Sequence, residues 1–152
     1  MDAIWIVSAN AGRARFFSQV NPSSALVEIS DMVNAAARLR TAETETDELG
    51  QRSAAKSRHN GTAAQPSGYE PNQSPAQHQT EIFARNVADF LRKAQSEQRY
   101  RQLYIMAAPE FLGVLRRLLD ANVSASIGLE VSKDYTQLNG NQLAEQIEAW
   151  RP

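Results

Sequence analysis

The chain has 152 residues, 42% of them hydrophobic, and its 16 basic and 17 acidic side chains nearly cancel. That length suits one domain, residues 1–152, with a real core, and the charge balance excludes a broadly basic surface, so any polyanion contact has to be local. With no cysteine, disulfides, thiol catalysis and thiolate metal sites are excluded together.

The N-terminal stretch MDAIWIVSAN lacks the basic start and long apolar run of a secretory signal, and no apolar stretch approaches the ~20 residues of a membrane span. The expectation is a soluble, cytoplasmic protein with no membrane insertion. Ala3–Ser8 is continuously apolar and reads as a strand buried on both faces. Asn10-Ala11-Gly12 supplies turn chemistry, since Asn and Gly both tolerate positive φ. Arg13–Val20 and Leu26–Val33 follow as strands, joined across the hairpin signal Asn21-Pro22-Ser23-Ser24. In the third strand the spacing places Val27, Ile29 and Val33 on one face and Leu26 and Met32 on the other.

Composition then changes. From Thr41 to Ala76 the only large apolar residues are Leu49 and Tyr69. A segment so polar cannot offset its ordering entropy by its own burial, and it reads as a long loop over about 38–76. Its charges are sorted: Glu43, Glu45, Asp47 and Glu48 first, then Arg52, Lys56, Arg58 and His59.

Regular structure resumes at Ser74-Pro75-Ala76-Gln77, a capping-box start with Pro at the first helical position. The helix runs to about Glu97 with Ile82, Phe83, Val87, Phe90, Leu91 and Ala94 on one face. Leu103–Ala107 is a short buried strand. Pro109 opens a second helix, striped by Phe111, Leu112, Leu115, Leu118 and Leu119 and ending near Asn122. Ser126–Val131 is a fifth strand. The last helix starts at Asn139, with Gln142 three residues on and Leu138 and Leu143 as a hydrophobic staple.

The order β-β-β-α-β-α-β-α predicts an α/β fold with a mixed five-stranded sheet and helices on its faces. This topology resembles the ribonuclease H-like arrangement and the middle domain of archaeal and eukaryotic peptide-chain release factors. More specific pieces are Trp5-Ile6-Val7, Ala9-Asn10 and Arg13-Ala14-Arg15; then Arg38-Leu39-Arg40, Gly50 with Arg52-Ser53, and Arg58-His59. Further on come His78 with Glu81, Phe83-Ala84, Pro109 with Phe111-Leu112, and Lys133-Asp134 with Thr136 and Leu138. In this order, over nearly the whole chain, they resemble the bacterial host attachment protein family, described as required for attachment to host cells. The resemblance implies a fold related to the release-factor middle domain and brings no settled biochemical activity.

A metal-dependent nuclease needs clustered carboxylates, but the only acid near the first strand is Asp2, with Glu130 and Asp134 by the fifth. His59 and His78, with Glu81 a turn beyond, could make a metal site, but local hydrogen bonding is the preferred reading. Ser8, Ser53 and Ser57 lack nucleophile-elbow spacing. The long loop occupies the slot that holds the Gly-Gly-Gln catalytic loop in release factors, yet it has only Gly50-Gln51. Its cations Arg52, Lys56, Arg58 and His59 suit RNA or a ribosome better.

Lys133-Asp134-Tyr135-Thr136 follows the fifth strand, at the carboxyl ends where open α/β sheets place ligands, beside Asn10. Arg13 and Arg15 alternate onto one face, where ion pairs with Asp134 and the loop acids are preferred over a ligand. The resulting expectation is a non-enzymatic binding protein without cofactor or metal, whose partner is RNA, the ribosome or another protein. Its contact residues are Asn10, Arg13, Arg15, Arg38, Arg52, Lys56, Arg58, His59, His78, Lys133, Asp134 and Thr136. The rival is a small hydrolase or ligand-binding protein with a cleft at the strand ends.

Overall fold

The computed structural model describes residues 3–37 and 74–151. The long loop, with Arg38, Arg52, Lys56, Arg58 and His59, lies outside the described residues. Within them five strands form a mixed sheet: β1 (Ile4–Asn10), β2 (Arg13–Gln19), β3 (Val27–Val33), β4 (Gln102–Ala107) and β5 (Ile127–Val131). Four helices lie wholly within the described residues: α1 (Pro75–Ser96), α2 (Pro109–Leu118), α3 (Ala121–Ala125) and α4 (Gly140–Trp150).

The sheet order is β3-β2-β1-β4-β5. β1 is the centre, antiparallel to β2 and parallel to β4, and its continuous apolar run is what a strand covered on both faces requires. Alternation along β1 sends Trp5, Val7 and Ala9 to one face and Ile4 and Ile6 to the other. The first face, with Phe16, Leu103 and Ile105, packs beneath Phe83, Val87 and Leu91 of α1 and Phe111 and Leu115 of α2. The second, with Phe17, Tyr104, Met106 and Val131, packs beneath Leu143 and Ile147 of α4.

Both capping boxes form, with Ser74 accepting from the Gln77 amide at 3.1 Å and Asn139 from the Gln142 amide at 2.8 Å. Three local expectations are corrected. The helix opened by Pro109 ends at Leu118, because Leu119 and Asp120 turn extended. Asp120 then caps the short α3, its carboxylate accepting from the Val123 amide. On α1, Ile82 is 42% exposed: Phe83, Val87 and Leu91, with Ala84 and Ala88, make the buried stripe and leave Ile82 at its edge.

The third correction concerns β3. Phe16 pairs with Ser30 but Phe17 pairs with Glu28, so Ile29 is an extra residue in a bulge. The bulge inverts the parity of the strand. Val27 lies opposite Ser18 and Val33 opposite Arg13, on different faces, and Val27, Ile29 and Val33 are all exposed. Leu26 and Met32 likewise separate, one onto each core.

Candidate functional site

The site grows out of the β1–β2 turn. β1 continues past Ser8 to Asn10, which pairs directly with Arg13, leaving Ala11-Gly12 as a two-residue turn. The Asn10 side-chain oxygen accepts from the amides of Gly12 (2.8 Å) and Arg13 (2.9 Å). That fixes the direction of its Nδ2, which donates to Asp134 Oδ2 at 2.8 Å and to Thr136 Oγ1 at 3.2 Å. Asp134 Oδ1 in turn accepts from the Thr136 amide (3.0 Å) and hydroxyl (2.7 Å). Partial burial pushes the Asp134 carboxyl upward, but the bonds from Asn10 and Thr136 outweigh it and hold the group below its ordinary value. Thr136 is 1% exposed.

Residues 132–139 thus form a strap that leaves β5 and crosses the sheet ends on the α4 side. Tyr135 and Leu138 pack on the second core, and Arg15 of β2 donates from Nη1 to the carbonyls of Thr136 (3.0 Å) and Leu138 (2.6 Å). The rest of the Arg15 fork is bidentate on Glu28 of β3, at 3.0 and 2.8 Å. Arg13 grips Asp31 in the same way, at 3.1 and 2.9 Å. Neither arginine meets Asp134. Their partners are the acids of β3, which the register of that strand brings alongside. The hydrogen bonds and charge of Arg15 lower the Glu28 pKa, and Asp31 raises that of Arg13.

The expected residues therefore divide. Asn10, Arg15, Asp134 and Thr136 converge, Arg13 flanks them, and Lys133 is exposed on the strap. His78 does not join them: it sits exposed on the first turn of α1, the helix that covers the opposite face. Glu81 pairs with Arg85 at 3.0 Å, and among the described residues no group of three His, Asp or Glu side chains could hold a metal ion.

Three contributors escaped the sequence reading. Glu28 and Asp31 of β3 drew no attention in the sequence, because their pairing depends on register. Asn34 is buried and donates from Nδ2 to the Ala11 carbonyl at 2.9 Å, while its own amide donates to the Gly12 carbonyl at 2.9 Å, tying β3 to the turn. Its signal was an Asn closing a strand just before Ala-Ala-Ala. Ser8, opposite Arg15 and beside Met106, is 1% exposed, and its hydroxyl has no partner among the described residues. On the other face, a cavity of about 490 Å³ opens between the first turns of α1 and α2 and the β1–β2 turn, lined by residues including Ala11, Gln77, Thr80, Glu110, Phe111 and Arg117.

Among solved structures, the chain is similar to the type II variant of the Aquifex aeolicus Ppx/GppA phosphatase, at 12% identity and a TM-score of 0.40. The likeness covers 86% of this chain and 35% of that one, so the chain spans about a third of that protein's length. No curated protein matches the chain. A family model described as "Protein required for attachment to host cells" matches residues 5–147, from the second residue of β1 into the last turns of α4. The chain belongs to that family.

Proposed function

We propose that this protein acts by binding a macromolecule rather than by catalysis, and that its partner is RNA, free or within a ribosome. The observation that supports binding over chemistry is the mutual engagement of the polar groups at the strand ends. Asn10, Asp134 and Thr136 bond to one another, and Arg13 and Arg15 are held by Asp31 and Glu28. The hydroxyl that meets a carboxylate in that set, Thr136 on Asp134, is 1% exposed, and the Asp134 carboxyl is held below its ordinary value, which makes it a weak base. A hydrolase built from Asn10, His59, His78, Lys133 and Asp134 is disfavoured, since His78 lies across the sheet from Asp134.

With the strand-end arginines neutralised, the polyanion contact falls to Arg52, Lys56 and Arg58, three cations within seven residues of the sequence. The kinship of the fold with the release-factor middle domain belongs to the same proposal, and makes ribosomal RNA the natural target.

Fluorescence anisotropy with a labelled single-stranded RNA tests this. Wild-type affinity is expected to fall with salt at a log–log slope of roughly two to three, from ~0.7–0.9 per phosphate contact. Reversal of Arg52, Lys56 and Arg58 to Glu abolishes it while the thermal melt stays unchanged. Absence of salt-dependent association with RNA or purified ribosomes overturns the proposal; association that survives the triple reversal moves the contact away from the loop.

A further inference from the structure

The strap and the floor beneath it are complementary in one chemical respect. The floor presents donors: Asn10 Nδ2, Arg15 Nη1 and the hydroxyl of Ser8. The strap answers with acceptors: the Asp134 carboxylate, the Thr136 hydroxyl oxygen, and the carbonyls of Thr136 and Leu138. Glu28 holds Nε and Nη2 of Arg15, so the planar guanidinium is left with Nη1 aimed at the strap. Asn10 is aimed there as well, because the turn amides of Gly12 and Arg13 occupy its oxygen.

The match is incomplete. Ser8, on the same face as Asn10 and opposite Arg15, is 1% exposed, yet its hydroxyl has no partner among the described residues. A buried hydroxyl left unpaired is costly, and an alanine would fill the same place without that cost.

We propose that residues 132–139 are an internal occupant of an oxyanion-binding floor formed by Ser8, Asn10 and Arg15, and that a ligand carrying a phosphoryl or carboxylate group displaces them. Asp134 is the tethered mimic of that ligand. An oxyanion in place of the strap takes the Asn10 bond that Asp134 holds and the Arg15 bonds that the Thr136 and Leu138 carbonyls hold, and it has spare oxygen lone pairs for Ser8. Tyr135 and Leu138, seated on the second core, return the strap when the ligand leaves. The site uses none of the loop cations, so it stands or falls separately from RNA binding.

The test is a titration of the ¹⁵N-labelled full chain with inorganic phosphate, and separately with acetate, at constant ionic strength. The side-chain signals of Asn10 Nδ2 and Arg15 Nε are followed by NMR. Removing the tethered carboxylate in Asp134→Ala is expected to tighten saturable binding about tenfold or more over wild type, the scale of a lost hydrogen bond to a charged group. Adding Ser8→Ala to that variant weakens binding about threefold or more, and adding Arg15→Gln abolishes it. Saturation by phosphate alone marks a phosphoryl ligand, and by acetate alone a carboxylate ligand; saturation by neither overturns the proposal. So does binding in Asp134→Ala no tighter than in wild type, or indifferent to Ser8 and Arg15. Should Asp134→Ala not fold, Asp134→Asn replaces it, and amide exchange of residues 135–138 in wild type gives a second reading. Saturating phosphate or acetate must speed that exchange, and unchanged protection overturns the proposal.

Discussion

Asp134 accepts three hydrogen bonds, from the Asn10 side chain and from the amide and hydroxyl of Thr136, and its pKa lies below the ordinary 3.8. Glu28, held by Arg15, lies below its ordinary 4.5. Both native environments favour the charged form, so the stability they contribute is complete above the ordinary values and is lost as pH falls through the lowered ones. The urea midpoint of the wild type is therefore expected to drop from pH 4.5 downward more steeply than that of a Glu28→Gln, Asp134→Asn double variant. Parallel curves would show that the two carboxylates are no better placed in the native state than in the unfolded chain. At this scale the sequence was informative about residue type and uninformative about partner. Arg13 and Arg15 announced an ion-paired face, but which acids they meet is decided across strands. Asn10 announced a turn; its second role, reaching 124 positions along the chain to Asp134, depends on the fold.

Elements were legible wherever the signal is local. The Ser74 and Asn139 capping boxes and Pro109 at a helix start are short-range chemistry, and each marks an element boundary in the structure. The bulge at Ile29 was not legible, because one extra residue in β3 becomes visible only against β2. The width of the buried stripe on α1 also escaped, and it gives a contrast to measure. Phe83 is 5% and Leu115 0% exposed, so Phe83→Ala and Leu115→Ala are each expected to cost about 2–5 kcal/mol in denaturant melts. Ile82, on the same helix but 42% exposed, should lose well under half of that when changed to Ala, since a large part of its side chain already meets water. Equal losses at Ile82 and Phe83 would mean that the helix presents a different face to the sheet. Ser74→Ala removes one side of a capping box and should cost about 1 kcal/mol.

Among the described residues the two faces of the sheet are unequally covered, and that asymmetry sets how this part of the molecule should open. On one side α1 contributes six buried residues, from Phe83 to Ala94, and α2 and α3 add Phe111, Leu112, Leu115 and Val123. On the other, α4 contributes Leu143 and Ile147 alone, with Tyr135 and Leu138 of the strap half-buried beside them. Local opening free energy follows the apolar area an element gives up, so the strap and α4 form the weaker cooperative unit. Native-state hydrogen exchange should show amides of residues 143–150 exchanging through an opening well below the global one. Amides of β1, β4 and the middle of α1 should exchange only on global unfolding. Because Asn10 and Arg15 bind the strap directly, Asn10→Ala should lower the α4 opening further and leave the global limit of β1 less affected. If α4 instead exchanges together with β1, at one common free energy, the strap is an integral part of a single cooperative core. It would then not be a separable cover over the strand ends.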